Sequence, residues 1–123
     1  MNWDEYPNFS EDEFRCSHTG KCEMKQELMD ALQTMRDLHG RPMTITSGYR
    51  DPSHPVEARK ETPGVHTLGL AADIACQGTE AYEILELAFE LGFTGIGVAQ
   101  KGGGRFIHVD MWTGGPRPNV WSY

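Results

Sequence analysis

Two histidines and an aspartate, His66, Asp73 and His108, are the residues of this sequence best suited to metal chemistry. A neutral imidazole and a carboxylate are both good ligands for zinc. A catalytic zinc site usually takes three protein ligands and leaves a fourth position for water. His66 and Asp73 lie close together in sequence, and His108 is the best candidate for the third ligand. We therefore expect these side chains to form a zinc site.

The spacing between His66 and Asp73 requires the chain to bend. Seven extended residues would span roughly 23 Å, and two helical turns would separate the two Cα atoms by about 10 Å. Gly69 has the freest backbone in this interval. A turn there, followed by a strand over 70–75, would bring His66 back toward Asp73. The alanines on the same strand face would leave the Asp73 carboxylate room.

The segment 105–112 around His108 is predicted to be a strand. By period two, Phe106, His108 and Asp110 share one face, while the apolar residues between them form an opposite face suited to a core. The polar face must then point at something other than the core.

Composition indicates a single domain over 1–123, because a chain of 123 residues can bury one hydrophobic core. The net charge of -7 and the scattered basic residues argue against nucleic acid, and equally against an anionic membrane surface, as a partner. No apolar run approaches the roughly 20 residues needed to span a bilayer. The first five residues are acidic where a secretory signal would be basic and then apolar, so we expect synthesis in the cytoplasm without a signal peptide. Nothing in the sequence demands more than a monomer.

Two longer helices are predicted. Apolar residues at helical spacing predict the first over 24–39, with a stop signal at Gly40. Thr79 can cap the second, which runs to about Leu91 with Phe89 on its buried side. Ser10 and Glu13 fit a capping box that starts a short helical turn.

Further strands are expected over 43–47 and 95–100, and the turn at 101–104 should join the latter to the His108 strand as a hairpin. The loop 51–65 is long enough to form a functional rim, and the tail from Thr113 is predicted to be irregular, held to the body by Trp121 and Tyr123. The fold class is thus α+β: a small, mainly antiparallel sheet of about four strands with two main helices.

Three cysteines make an odd count, so at least one thiol is unpaired. Cys16, His18 and Cys22 lie within seven residues, but structural zinc normally takes four ligands and no convincing fourth partner is present. A second metal, a disulfide and plain buried thiols therefore remain open interpretations of this loop.

The motifs Ser47-Gly48-Tyr49-Arg50, His66 with Asp73, and Phe106-Ile107-His108-Val109-Asp110 together resemble one family. It comprises the zinc peptidases that include D-alanyl-D-alanine carboxypeptidases and bacteriophage L-alanyl-D-glutamate endolysins, and hedgehog signalling domains share its fold. The resemblance extends from about Phe9 to the tail. The closing Pro116-Arg117-Pro118 and Trp121-Ser122-Tyr123 are similar to compact phage-encoded members.

This resemblance implies zinc held by His66, Asp73 and His108, with Arg50 and its neighbour Tyr49 binding a substrate carboxylate or carbonyl. It implies a peptidase, carboxypeptidase or endopeptidase, that hydrolyses peptidoglycan stem peptides, as a phage or prophage endolysin or a virion-associated cell-wall hydrolase does. Without a signal peptide, such a protein would reach the cell wall after release by lysis machinery or as part of a virion.

One position departs from the family pattern. Many relatives place an acidic general base three residues before the last zinc ligand, where this chain has Arg105. Asp110 is the best substitute, although it could instead orient His108, and Glu57 and Glu61 are weaker candidates. The departure suggests an alternative function, a zinc-stabilised, non-catalytic binding or virion structural module.

Overall fold

A computed structural model describes residues 1–62 and 64–123, so Pro63 of the predicted 51–65 loop lies outside the described residues. Within them the chain forms four α-helices and five β-strands. The helices are α1 (Glu11–Phe14), α2 (Gln26–His39), α3 (Pro55–Ala58) and α4 (Gly78–Glu90). The strands are β1 (Thr44–Ser47), β2 (Ala71–Ala75), β3 (Gly95–Ala99), β4 (Phe106–Asp110) and β5 (Asn119–Ser122). Short 3-10 turns lie at Trp3–Glu5 and Val65–Leu68.

The strands form one sheet in the order β1-β2-β4-β3-β5. Neighbouring strands are antiparallel, except that β5 runs parallel to β3. The hairpin between β3 and β4 forms as predicted. The prediction of an α+β domain with a mainly antiparallel sheet and two main helices is confirmed.

One face of the sheet carries the hydrophobic core. Ile74, Ile107 and Val109 are fully buried, in one cluster with apolar residues of α2 and α4. The alternation of β4 is the cause: its odd-numbered residues face this core, and its even-numbered residues face the other side. The opposite face of the sheet is thereby left for polar side chains.

Two details of α4 differ from the prediction. Gln77, rather than Thr79, is its N-cap residue. Phe89 is 62% exposed, because the buried stripe of this helix passes through Ile84 and Ala88 and the next residue lies about 100° further round the axis.

The tail contains a fifth strand where the sequence predicts irregular chain. Because β5 pairs in parallel with β3 across a long connection, no local hairpin signal precedes it. Trp121 pairs with Gly97, whose missing Cβ leaves room: a Cβ there would lie 2.7 Å from the indole nitrogen. The Tyr123 ring packs on that of Phe106 at 5.1 Å. Both aromatic residues hold the tail, in agreement with the prediction.

No helix among the described residues is long and apolar enough to cross a membrane. The predicted 51–65 loop contains α3 and leads into the Val65–Leu68 turn.

Candidate metal centre

The polar sheet face brings Asp73 and His108 side by side. They are directly paired across β2 and β4, and Gly97 and Trp121 continue the same row across β3 and β5. Side chains paired in this way lie on one face with Cβ atoms about 4.5–5.5 Å apart. The Trp121 ring lies 5.1 Å from the His108 ring, centroid to centroid.

His66 reaches this pair from the Val65–Leu68 turn. Gly69 ends the turn with a φ of 72°, and a Cβ there would lie 2.0 Å from the Glu23 carbonyl oxygen, so both the backbone and the space require glycine. The Arg50 N–H donates to the His66 carbonyl oxygen at 3.1 Å. The predicted turn at Gly69 thus forms, and the chain folds His66 back toward Asp73.

The three predicted ligands converge on one point. Asp73 Oδ1 lies 3.4 Å from His66 Nε2 and 3.0 Å from His108 Nδ1. One ligand atom from each residue lies within 4.8 Å of the others, and all three residues are buried. Two imidazole nitrogens and one carboxylate oxygen are a donor set that suits zinc with one position left open.

The second nitrogen of each imidazole has a hydrogen-bond acceptor. His66 Nδ1 lies 2.8 Å from the Gly48 carbonyl oxygen, and His108 Nε2 lies 2.7 Å from Asp110 Oδ2. If these two nitrogens donate, the lone pairs of His66 Nε2 and His108 Nδ1 would be available to a metal ion, whereas without a metal the same two nitrogens face Asp73 Oδ1. Partners of this kind are what metal-ligating histidines normally have. The residues could therefore hold a metal ion.

The side chains of this cluster shift one another's pKa. Burial opposes ionisation of Asp73, but hydrogen bonds from His108 and His66 outweigh it and hold its pKa well below the usual range. Burial likewise opposes ionisation of Asp110, yet His108 and Arg117 lower its pKa to about 2. Burial disfavours the charged form of His108, but Asp110 and Asp73 raise its pKa. Both carboxylates are therefore ionised at neutral pH.

Arg50 lies at the edge of the centre, held between two carboxylates. Its Nη1 donates to Glu57 Oε2 at 3.1 Å, and its Nη2 lies 3.6 Å from Asp73 Oδ2. Glu57 is fully buried in α3 and also accepts from Lys60 and from the Gly64 N–H. The Glu57 carboxylate thus holds Arg50 in place, and both of its oxygens already accept hydrogen bonds from protein donors.

We expect Glu57→Gln to destabilise the metal-free protein at pH 7 by about 1–3 kcal/mol, because it replaces a buried carboxylate that accepts from two cationic side chains and a backbone N–H by a neutral amide. Burial opposes ionisation of Glu57, but Gly64, Arg50 and Lys60 lower its pKa below the unperturbed value of 4.5. The contribution of the ionised Glu57 carboxylate to folding stability is therefore complete above pH 4.5, and it is lost as the pH falls through the folded-state pKa. Urea unfolding from pH 3 to pH 7 should show the two proteins converging at the acidic end.

Glu61→Gln is the matched control, since Glu61 is exposed in the same loop. An equal loss of unfolding free energy in both variants would contradict the role of the Glu57 carboxylate in holding Arg50. A Glu57→Gln loss that does not depend on pH would contradict it as well.

The metal centre forms the floor of a pocket of about 470 Å³. Among the described residues that line it, Asp73 is the only carboxylate, whereas three cationic side chains, Arg50, Lys60 and Arg117, face it. Its aromatic wall is made of Phe106, Trp112, Trp121 and Tyr123. The chain is acidic as a whole, whereas the charged side chains that line this pocket are mostly cationic, with Arg50 and Lys60 paired to Glu57 behind it.

The remaining predicted site residues lie elsewhere. Tyr49 is buried away from the pocket, where burial and the Glu23 carboxylate raise its pKa to about 12; this position favours packing over contact with a substrate. Glu61 is exposed and outside the pocket. Arg105 is also exposed, and its Nε donates to the Gly102 carbonyl oxygen in the hairpin turn.

The cysteine loop holds free thiols. Cys16 is buried and its sulfur accepts a hydrogen bond from the Asp51 N–H, while Cys22 is half-buried and unpaired. Within the part of the chain that the structure describes, the metal-ligand cluster is the one formed by His66, Asp73 and His108. Cys16 and Cys22 thus form no disulfide with each other in this structure.

Arg117 is the site residue for which the sequence carries no functional signal. Its Nε and Nη2 donate to the two oxygens of Asp110 at 3.0 and 2.9 Å. The flanking prolines belong to the motif that resembles phage proteins, but no local pattern pairs an arginine with an aspartate seven residues earlier.

The sheet, the convergent triad and the pocket define a compact metallopeptidase-like domain. A family model described as Peptidase M15 matches residues 7–110, most of the chain. The chain belongs to the peptidase M15 family.

Among curated protein sequences, none matches this chain significantly. M15 peptidases are zinc-dependent in general, and membership supports a peptidase that acts on cell-wall peptides. The matched segment ends at Asp110, so β5 and Arg117 lie beyond it.

Proposed function

We propose that this protein is a zinc-dependent peptidase that hydrolyses peptide bonds in peptidoglycan stem peptides. The observation that carries the proposal is the convergence of His66 Nε2, Asp73 Oδ1 and His108 Nδ1 at the floor of a pocket. Family membership supports the reaction class.

His66, Asp73 and His108 would hold the metal. When bound, zinc supplies Lewis-acid polarisation of a scissile carbonyl and makes water more acidic. By accepting from His66 Nδ1 and His108 Nε2, Gly48 and Asp110 would keep the two histidines in the tautomers that this role requires.

Arg50 would bind a carboxylate of the substrate. Its guanidinium is a planar fork of donors matched to a carboxylate, it lines the pocket, and its side chain is 22% exposed. Stem peptides are rich in carboxylates, and Arg50 together with the half-exposed Lys60 suits such a ligand although the chain has a net charge of -7. The aromatic wall would contact apolar parts of the peptide and exclude water.

We assign Asp110 to orienting His108 rather than to proton transfer. It is fully buried, and its oxygens accept from His108 and from Arg117. Glu57 is likewise occupied, in its case by Arg50 and Lys60.

A second candidate function is a zinc-stabilised, non-catalytic binding or virion structural module. It is favoured by Arg105 at the position where relatives carry an acid, and by the lack of a second carboxylate among the described pocket residues. Such a module would bind stem peptides in the same pocket without cleaving them.

A phage or prophage origin is part of the proposal and is supported by the closing residues 116–123, which are similar to compact phage-encoded members. The enzyme would then act at the cell wall after release from the infected cell or as part of a virion.

Mass-resolved digestion of purified peptidoglycan tests the proposal. Protein with stoichiometric zinc is compared with chelated protein, and with His18→Ala, an exposed histidine variant that should match wild type. Zinc-dependent fragments are expected, and their masses identify the bond and distinguish endopeptidase from carboxypeptidase action. Bound zinc and bound stem peptide without new amino termini would favour the non-catalytic module instead.

A further inference from the structure

Arg117 is held rigidly at the wall of the pocket. Its guanidinium carbon lies 5.0 Å from the ring centroids of both Trp112 and Trp121, so the side chain makes cation–π contacts with two indoles. Only 9% of the side chain is exposed. Cation–π contacts of this kind are strongest where water is excluded, and the guanidinium therefore has one well-defined orientation.

That orientation aims Arg117 at Asp110. The two bonds to the carboxylate are bidentate, a geometry that arginine provides and lysine does not. Asp110 Oδ1 also accepts from the Trp112 N–H at 3.3 Å. The opposing strand residue is Gly95, and a Cβ there would lie 2.3 Å from the carboxylate oxygens. The hydrogen-bond donors of Arg117 and Trp112 and the space beside Gly95 together accommodate the charged Asp110 carboxylate.

Asp110 Oδ2 is shared between Arg117 and His108. Because His108 Nε2 is fixed by this oxygen, His108 Nδ1 is the nitrogen directed at Asp73 Oδ1. The orientation of the third predicted ligand therefore depends on Arg117 through one intermediate carboxylate.

We infer that Arg117 is a positioning residue of the metal centre, which acts through Asp110 to fix the tautomer and ring orientation of His108. The segment after residue 110, beyond the part that the family model matches, thereby completes the centre. This inference rests on the proposed function, because it takes zinc as the ligand of the triad. Arg117 contributes geometry to zinc binding and contacts no zinc itself.

The test is zinc affinity measured by chelator competition for the full chain, with the visible absorption spectrum of the cobalt-substituted protein as a second readout. We expect Arg117→Gln to weaken zinc binding about 10- to 100-fold, the usual cost of losing a hydrogen-bond partner of a ligand. The cobalt spectrum should change because His108 is no longer held in one orientation. Arg117→Lys should show an intermediate loss of zinc affinity, and it replaces the glutamine variant in this test if that variant does not fold.

Arg41→Gln is the matched control, since Arg41 also pairs with a carboxylate, that of Glu83, but lies on the exposed surface away from the centre. Its zinc affinity and cobalt spectrum should equal those of wild type.

Double-mutant analysis with Asp110→Asn separates positioning from a general effect on the fold. If Arg117 acts through Asp110, Arg117→Gln should have little further effect on zinc affinity in the Asp110→Asn background. Equal effects in both backgrounds would overturn the inference, and so would a folded Arg117→Gln whose affinity changes less than about threefold with an unaltered cobalt spectrum. A wild-type chain that binds no zinc would instead contradict the proposed function.

Discussion

His108→Ala is expected to abolish zinc binding and hydrolysis together while leaving the fold intact. The variant removes one of three ligand atoms. Zinc affinity should therefore fall by more than the roughly 10- to 100-fold that results from losing only a ligand's hydrogen-bond partner. The side chain lies on the polar sheet face opposite Ile107 and Val109, so the core keeps its packing. We expect the metal-free variant to remain folded but to lose about 1–3 kcal/mol, because the buried carboxylates of Asp73 and Asp110 lose a hydrogen-bond partner.

Zinc content, peptidoglycan digestion and thermal unfolding of the metal-free variant measure these three effects. His18→Ala provides the comparison of an exposed histidine. Loss of zinc with full retention of activity would refute the metal mechanism. A variant that does not fold even without metal would show that His108 is primarily structural.

Arg50→Ala is expected to reduce kcat/KM roughly 100-fold on substrates that carry a free carboxylate. Hydrogen bonds to charged groups contribute about 1.5–3 kcal/mol, and each 1.36 kcal/mol corresponds to a factor of ten in rate. The variant should retain zinc, because His66, Asp73 and His108 remain in place. The decisive measurement compares a stem peptide that has a free carboxylate with its amidated analogue.

Wild type should prefer the free carboxylate, and Arg50→Ala should lose that preference. Arg59→Ala is the matched control, since Arg59 is exposed on the same loop and its Nε donates to the Pro55 carbonyl oxygen. An undiminished preference in Arg50→Ala would assign carboxylate recognition to another group, with Lys60 as the next cation of the pocket.

Arg50 also illustrates how stability and function overlap here. Its removal leaves Glu57 buried with Lys60 and the Gly64 N–H as its remaining partners. Some loss of stability in Arg50→Ala is therefore expected, and kinetic comparisons belong at a temperature where both proteins are folded.

The sequence by itself determined the local elements and the members of the triad. The spacing around Gly69 requires a bend, and the alternation of 106–110 separates a polar face from a core face. Both signals are short-range, because strand period and glycine conformation depend on neighbouring residues alone. Helices α2 and α4 and the β3–β4 hairpin follow from signals of the same kind.

Only the tertiary structure decided how the site is supported. The parallel strand β5, the Arg117–Asp110 pair and the Glu57–Arg50 pair join residues through contacts that no local pattern encodes. The position of Tyr49 was decided in the same way, since its motif predicts substrate contact whereas packing against the body buries it. The physical reason is that a residue's type shows what chemistry it can perform, whereas burial and neighbours from distant segments decide which of its atoms remain free to perform it.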